Sequence, residues 1–257
     1  MTTALLVPAQ DAYVLFTDRL MTTCTLDALS DATLPGFKDM FVRDPCSILC
    51  LEDTRKALVS PDERSVVGTA SRHAHAALDA LGRLMELGAP LPYAGYEHLD
   101  DLFTSFFEAR GYRGRSDAAA AETIVAHALL GRGIFEYQGT AVSRRSALRF
   151  GSGSEYLDEA CHGIGELESG TLDADHAIEL AYPWFASAVE RDLFSSGVEC
   201  TLLSPNGSTQ QVLESPQLDQ NLRPYLRYFR SSAHALAFDR FERHYSSMFV
   251  MRSRIGP

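Results

Sequence analysis

The sequence predicts an α+β fold, a four-layer αββα sandwich with two antiparallel sheets between layers of helix. Three observations carry this. Short strand-like runs occur at the start, middle and end of the chain; segments of helical periodicity separate them; and no internal repeat or low-complexity linker interrupts the order. The sequence of elements is strands, helices, strands, two helices, strands. Two sheets covered by helices bury all of those apolar stripes economically. At 257 residues the chain needs no disulfide or metal to complete a core, because a chain of this size buries roughly 75% of its unfolded surface.

Residues 3–7 and 12–17 are apolar runs separated by Pro8-Ala9-Gln10-Asp11. In the second, Tyr13, Leu15 and Thr17 alternate with Val14, Phe16 and Asp18. A period of two with a turn-forming spacer makes a hairpin. Residues 19–55 are less regular, with a Leu-Pro-Gly turn and short apolar pieces at 40–42 and 47–51 around Asp44-Pro45. Then KALVSPDERSVVGTAS reads as a short strand, a Ser-Pro-Asp-Glu turn and a second strand at 65–70.

From Ser71 the period becomes helical. Ala74, Ala77, Leu78, Leu81, Leu84 and Met85 share one face, and Gly88 stops the run. A second helix presents Leu99, Leu102, Phe103 and Phe106, and the alanine-rich residues 117–130 read as helix. Strands return at 134–138 and 146–150, ending in the GSGS of residues 151–154. Leu157, Ala160, Cys161 and Ile164 mark another helix. Thr171 is the expected N-cap of a helix running to Arg191, with Asp173 and Asp175 in its first turn, where the helix dipole favours negative charge. Pro183 is expected to kink it. Strands at 198–203 and 209–213 flank an Asn206-Gly207 turn.

The net charge of −11 argues against nucleic-acid binding. Residues 221–257 hold seven Arg against Asp239 and Glu242, a balance of +5, so residues 1–220 carry −16 (−11 minus +5). No run of 18 apolar residues is present, and the N-terminus lacks a basic segment followed by an apolar stretch. Both observations predict a cytoplasmic protein with no membrane span. Five scattered cysteines without a CxxC fit reduced thiols. Of the 23 basic residues only Lys38 and Lys56 are lysine. A lysine can be shifted to a useful pKa and donates from a compact ammonium, which a guanidinium cannot replace.

The stretch FGSGSEYLDEACHGIGELESGTLDADHAIELAYPWFASAVERDLFSSGVECTLLSPNG resembles the C-terminal half of a proteasome β-type subunit. A Gly-Ser-Gly turn, two helices, an Arg-Asp-x-x-Ser turn near a glycine and a closing hairpin occur in that order at close to that spacing. The start of the chain is similar too: MTT, a hairpin, and Asp18 sixteen residues after Thr2 with Arg19 behind it. The likeness covers residues 2–18 and 56–214. It implies an N-terminal-nucleophile hydrolase fold and a threonine-type endopeptidase. Removal of Met1 would leave Thr2 with both a hydroxyl and a free α-amine, the first to attack a peptide carbonyl and the second to take its proton. An α-amine with a reference pKa near 7.7–8.0 is available as a base at neutral pH.

The resemblance implies further residues by position. Asp18 would pair with a lysine whose charge lowers the pKa of the hydroxyl. Ser152 would lie near the amine, and Asp192 and Ser195 would orient both. For the lysine, Lys56 fits the strand, acidic turn and helix that follow it, though it requires a long insertion after Asp18. Lys38 needs a shorter one there and a second before the helix; Lys56 is preferred. Ala70-Ser71-Arg72 stand where the family usually has glycines at the oxyanion hole. The expected domain is 1–214, with 215–257 as a C-terminal extension packing between subunits through a helix that includes Leu236, Phe238 and Phe241. Implied partners are a homo-oligomeric ring or other proteasome-type subunits, an ATPase unfoldase and a polypeptide substrate. No cofactor is implied.

Two rival readings remain at this point: a catalytically inert β-type subunit serving assembly, and an amidase or transpeptidase using the same N-terminal nucleophile. His73 and His75 lack a carboxylate or cysteine at ligand spacing, so no metal site is expected. The Gly131-Arg132-Gly133 and GSGS segments lack the surroundings of a phosphate loop.

Overall fold

The computed structural model describes residues 2–25, 48–71, 77–78, 81–82, 85, 123–138, 141–160, 164–192, 195–216 and 250–253. The chain is a mixed α/β protein built on two five-stranded antiparallel sheets, with a third, three-stranded sheet beside them. The first sheet contains β1 (Thr3–Ala9), β2 (Ala12–Thr17), β10 (Leu148–Gly151), β11 (Val198–Ser204) and β12 (Gly207–Glu214), in the order β10-β1-β2-β11-β12. The second runs β5-β6-β7-β8-β9, from β5 (Ala57–Val59) and β6 (Ser65–Ala70) to β7 (Ile124–Leu129), β8 (Gly133–Gln138) and β9 (Ala141–Arg145).

Alternation along the strands explains how the sheets pack. From β1 and β2, Ala4, Leu6 and Leu15 point to one face, where they meet Ala57, Val66, Ala126, Ala128 and Ile134 of the second sheet. Leu5, Val7, Val14 and Phe16 point to the other face, against Leu157, Leu167, Ala177, Ala181 and Phe185. That helix layer comprises α1 (Ser154–Ala160), α2 (Ile164–Glu168) and α3 (Ala174–Arg191). Buried Ala177, Ala181, Phe185, Ala188 and Val189 form a stripe at helical spacing along α3, and Phe185 stacks on Phe16 at 5.4 Å. Residues 77, 78, 81, 82 and 85 are helical, with Ala77, Leu81 and Met85 buried at four-residue intervals, as their period predicts.

Several elements differ from expectation. Residues 124–129, expected within a helix, are β7, the central strand of its sheet. Val125 and His127 alternate with Ala126 and Ala128, and all four are buried. Pairing with β6 and β8 on both sides thus overrides the helix propensity of alanine. The N-cap of α3 is Asp173, not Thr171: its side chain accepts from the His176 N–H at 2.9 Å. Asp173 is two residues closer to the first helical turn, and its carboxylate also suits the helix dipole. The helix continues across Pro183, whose ring is exposed.

β3 (Leu20–Thr25) and β4 (Ile48–Asp53) pair antiparallel in the third sheet, where only irregular chain was expected at 20–25. β13 (Val250–Ser253) joins β4 in parallel register, Ser253 opposite Asp53, so the end of the 215–257 extension returns to its own chain. Lys38, the apolar piece at 40–42, the helix expected around Leu99–Phe106 and the residues Leu236, Phe238 and Phe241 lie outside the described residues. No described helix is long and apolar enough to cross a membrane.

Candidate active site

The start of β1 is held in a cradle made by the Gly-Ser-Gly turn after β10. β10 pairs with β1 as far as Thr3 opposite Gly151. The Ser152 N–H then donates to the Thr2 carbonyl at 2.7 Å, and its hydroxyl reaches the same oxygen at 3.3 Å. The glycines on either side of Ser152 permit this approach. A Cβ at Gly151, which has φ +92°, would lie 1.7 Å from the Thr2 carbonyl oxygen, and one at Gly153 would lie 2.0 Å from the Thr3 hydroxyl. No residue with a side chain fits either place.

Asp192 ends α3 and supplies the second support. Its backbone N–H donates to the Ala188 carbonyl, and its Oδ2 accepts from the hydroxyls of Ser152 (2.5 Å), Ser195 (2.6 Å) and Thr3 (3.0 Å). The Thr3 and Ser195 hydroxyls also lie 2.7 Å apart; with the Ser195 proton given to Asp192, the single Thr3 proton is shared between Asp192 Oδ2 and the Ser195 oxygen. One buried carboxylate oxygen thus draws together the turn after β10, the segment after α3 and the start of β1.

Asp18 and Lys56 form the third. The Lys56 ammonium donates to both Asp18 oxygens, at 2.9 and 2.7 Å, and to the Leu20 carbonyl at 2.6 Å. Asp18 also accepts from the Thr3 N–H at 2.8 Å, which ties the ion pair to β1. Both side chains are almost wholly inaccessible. Burial pushes the Asp18 carboxyl above the ordinary aspartate range and the Lys56 ammonium below the ordinary lysine range. In each, the partner's charge and hydrogen bonds pull the other way.

No family model and no curated protein matches this sequence. The site therefore stands on its own geometry.

All six residues singled out from the sequence, Thr2, Asp18, Lys56, Ser152, Asp192 and Ser195, meet around the start of β1. Thr2 itself is fully buried, and its hydroxyl has no hydrogen-bond partner among the described residues. The structure adds Thr3, which the sequence reading passed over although it stands beside Thr2. Successive residues of a strand face opposite ways, so a threonine at position 3 can serve Asp192 while its neighbour faces elsewhere. A second buried charge cluster was also missed. Arg19 binds Asp53 at 2.6 Å and Glu199 at 3.0 Å, and Arg55 binds the other oxygen of Glu199 at 2.8 Å. The signal was present in the positions of Arg19 and Arg55, one residue after Asp18 and one before Lys56.

Where an oxyanion-hole glycine was expected, Ala70 ends β6 and Ser71 follows it, with the Ser71 hydroxyl bonded to that of Thr123 at 2.8 Å. Chemically, the site offers a buried hydroxyl on Thr2, an ammonium held by a carboxylate, and a group of hydroxyls ordered by Asp192. No group of His, Cys, Asp and Glu able to hold a metal ion occurs among the described residues.

Proposed function

We propose that the chain is a threonine-type endopeptidase subunit of a proteasome-like, self-compartmentalising protease, with the N-terminal-nucleophile αββα fold. The observation that carries this reading is the joint placement of Asp18–Lys56 and Asp192–Ser152–Ser195 on Thr2 and Thr3, where β1 begins. A structural ion pair alone has no need of three hydroxyls directed at a second carboxylate beside the chain start. After Met1 is removed, the Thr2 α-amine accepts the proton of the Thr2 hydroxyl as its oxygen attacks a peptide carbonyl. The tetrahedral intermediate collapses to an ester on Thr2 as the α-ammonium gives that proton to the departing amine half of the substrate. The α-amine, neutral again, takes a proton from the water that attacks the ester, and returns it to the Thr2 oxygen as the acid half leaves. The Lys56 charge favours the oxyanion form of the nucleophile, and Asp18 fixes where that charge sits. Ring assembly encloses the site and restricts it to unfolded polypeptide.

A second reading, an inert β-type subunit, is favoured by one observation: the Thr2 hydroxyl takes no hydrogen bond among the described residues. One experiment separates the two. The purified chain is weighed intact and then treated with a peptide epoxyketone, which forms a morpholine ring only with a hydroxyl and a free amine on the same residue. Loss of Met1 and an adduct mapped to Thr2 are expected, and Thr2→Ala abolishes the adduct. Retained Met1 with no adduct overturns the peptidase reading.

A further inference from the structure

We propose that Glu199 is a positioning residue for the Asp18–Lys56 pair, acting through Arg19 and Arg55; this rests on the peptidase reading above. Asp18 and Lys56 are 38 residues apart, and their contact depends on how the segment after β2 meets the segment before β5. Glu199 is where those segments are joined. Its Oε2 accepts from Arg19, the residue after Asp18, and its Oε1 from Arg55, the residue before Lys56. Each member of the ion pair thus has its immediate chain neighbour tied to the same carboxylate.

The backbone supports this arrangement. The Arg19 and Leu20 N–H groups both donate to the Ser196 carbonyl, and the Thr54 N–H donates to the Arg19 carbonyl. Leu20 in turn presents the carbonyl that receives the third bond from Lys56. Glu199 sits opposite Thr17 on β2, and the pairing of β11 with β12 shifts register between Val198 and Glu199.

Glu199 is completely buried. Burial raises its carboxyl pKa, while Arg55 and then Arg19 pull it back down. With Asp53 the cluster has two positive and two negative charges and sums to zero. Its effect on the neighbouring pair is therefore mainly geometric. Apolar residues of similar volume commonly stabilise a fold as well as a buried ionic cluster does, so packing alone gives no reason for charge here.

The test compares the parent chain with Glu199→Gln and Arg55→Gln in steady-state hydrolysis of a fluorogenic peptide, with the folded fraction measured on the same samples. Glu199→Gln keeps the volume but turns an amide N–H toward a guanidinium. We expect kcat to fall at least tenfold with KM unchanged within twofold. Arg55→Gln, at a side chain 37% exposed, should fall in the same direction by a smaller factor. A folded Glu199→Gln with parental kcat, or a loss that only tracks the folded fraction, overturns the proposal. If Glu199→Gln does not fold, Arg55→Gln decides: parental kcat overturns the proposal and a selective fall in kcat upholds it. A parent chain without turnover overturns the peptidase reading itself, and this proposal with it.

Discussion

Replacing Lys56 with methionine tests the centre of the site without reference to catalysis. Methionine matches much of the lysine stem but removes the ammonium that meets both oxygens of Asp18 and the Leu20 carbonyl. Asp18 is then left fully buried with only the Thr3 N–H as a partner in this group. Breaking one side of a buried ion pair costs about 3–5 kcal/mol. At this chain length each kcal/mol lowers Tm by roughly 2–4 °C, so Tm should fall by roughly 6–20 °C. The loss also depends on pH. Burial already raises the folded-state pKa of Asp18, and without Lys56 it rises further. A carboxyl with a raised folded pKa supports the fold fully below its unfolded pKa of about 3.9 and loses that support as pH rises through the folded value. The deficit of Lys56→Met against the parent should therefore be smaller at pH 4 than at pH 7.5. Urea titrations followed by the fluorescence of Trp184, the single tryptophan, give both numbers. A deficit under about 1 kcal/mol at pH 7.5, the range of exposed ion pairs, would refute the reasoning.

Two further predictions follow from other groups. Thr3→Val keeps the shape of the side chain but removes the hydroxyl bonded to Asp192 and Ser195; stability should drop by about 1–3 kcal/mol. Epoxyketone labelling of Thr2 should slow by a factor on the order of 10 to 100, read as a rate under conditions where the variant is folded. His127 is buried in β7, its Nδ1 has no hydrogen-bond partner among the described residues, and burial lowers its pKa to about 4. Stability present above pH 6.5 is thus lost as pH falls toward 4, by about 3 kcal/mol in order of magnitude. His127→Leu should abolish that contribution, seen as a flatter dependence of the urea midpoint on pH between 6.5 and 4.

Much of the first sheet and its helix layer was legible because strand alternation in β1 and β2 and the 3.6-residue period in α3 are strong, local signals. The second sheet was harder. In β7 the alanines that suggest a helix are small because the opposing sheet lies close, a reason that exists only after the sheets have packed. β3 is short and rich in threonine, and its partner β4 lies beyond a long intervening segment, so nothing local announced the pairing. For the site, Ser152, Asp192 and Ser195 entered only through the resemblance to proteasome β-type subunits, whose turns they match in order and spacing. The choice between Lys56 and Lys38 was not legible, since the chain between Asp18 and β5 has no periodic ruler; Lys56 makes two bonds to Asp18, and Lys38 lies outside the described residues. Glu199 escaped notice because its significance comes from the two arginines it joins, which lie 180 and 144 residues away.

The contact between Thr3 and Asp192 spans 189 positions of the chain. A ribosome thus releases the opening threonines long before it makes the carboxylate that orders them. On the peptidase reading, a polypeptide abandoned part-way carries the Thr2 hydroxyl and amine without the carboxylate that orders the start of β1, so activity waits for the finished chain.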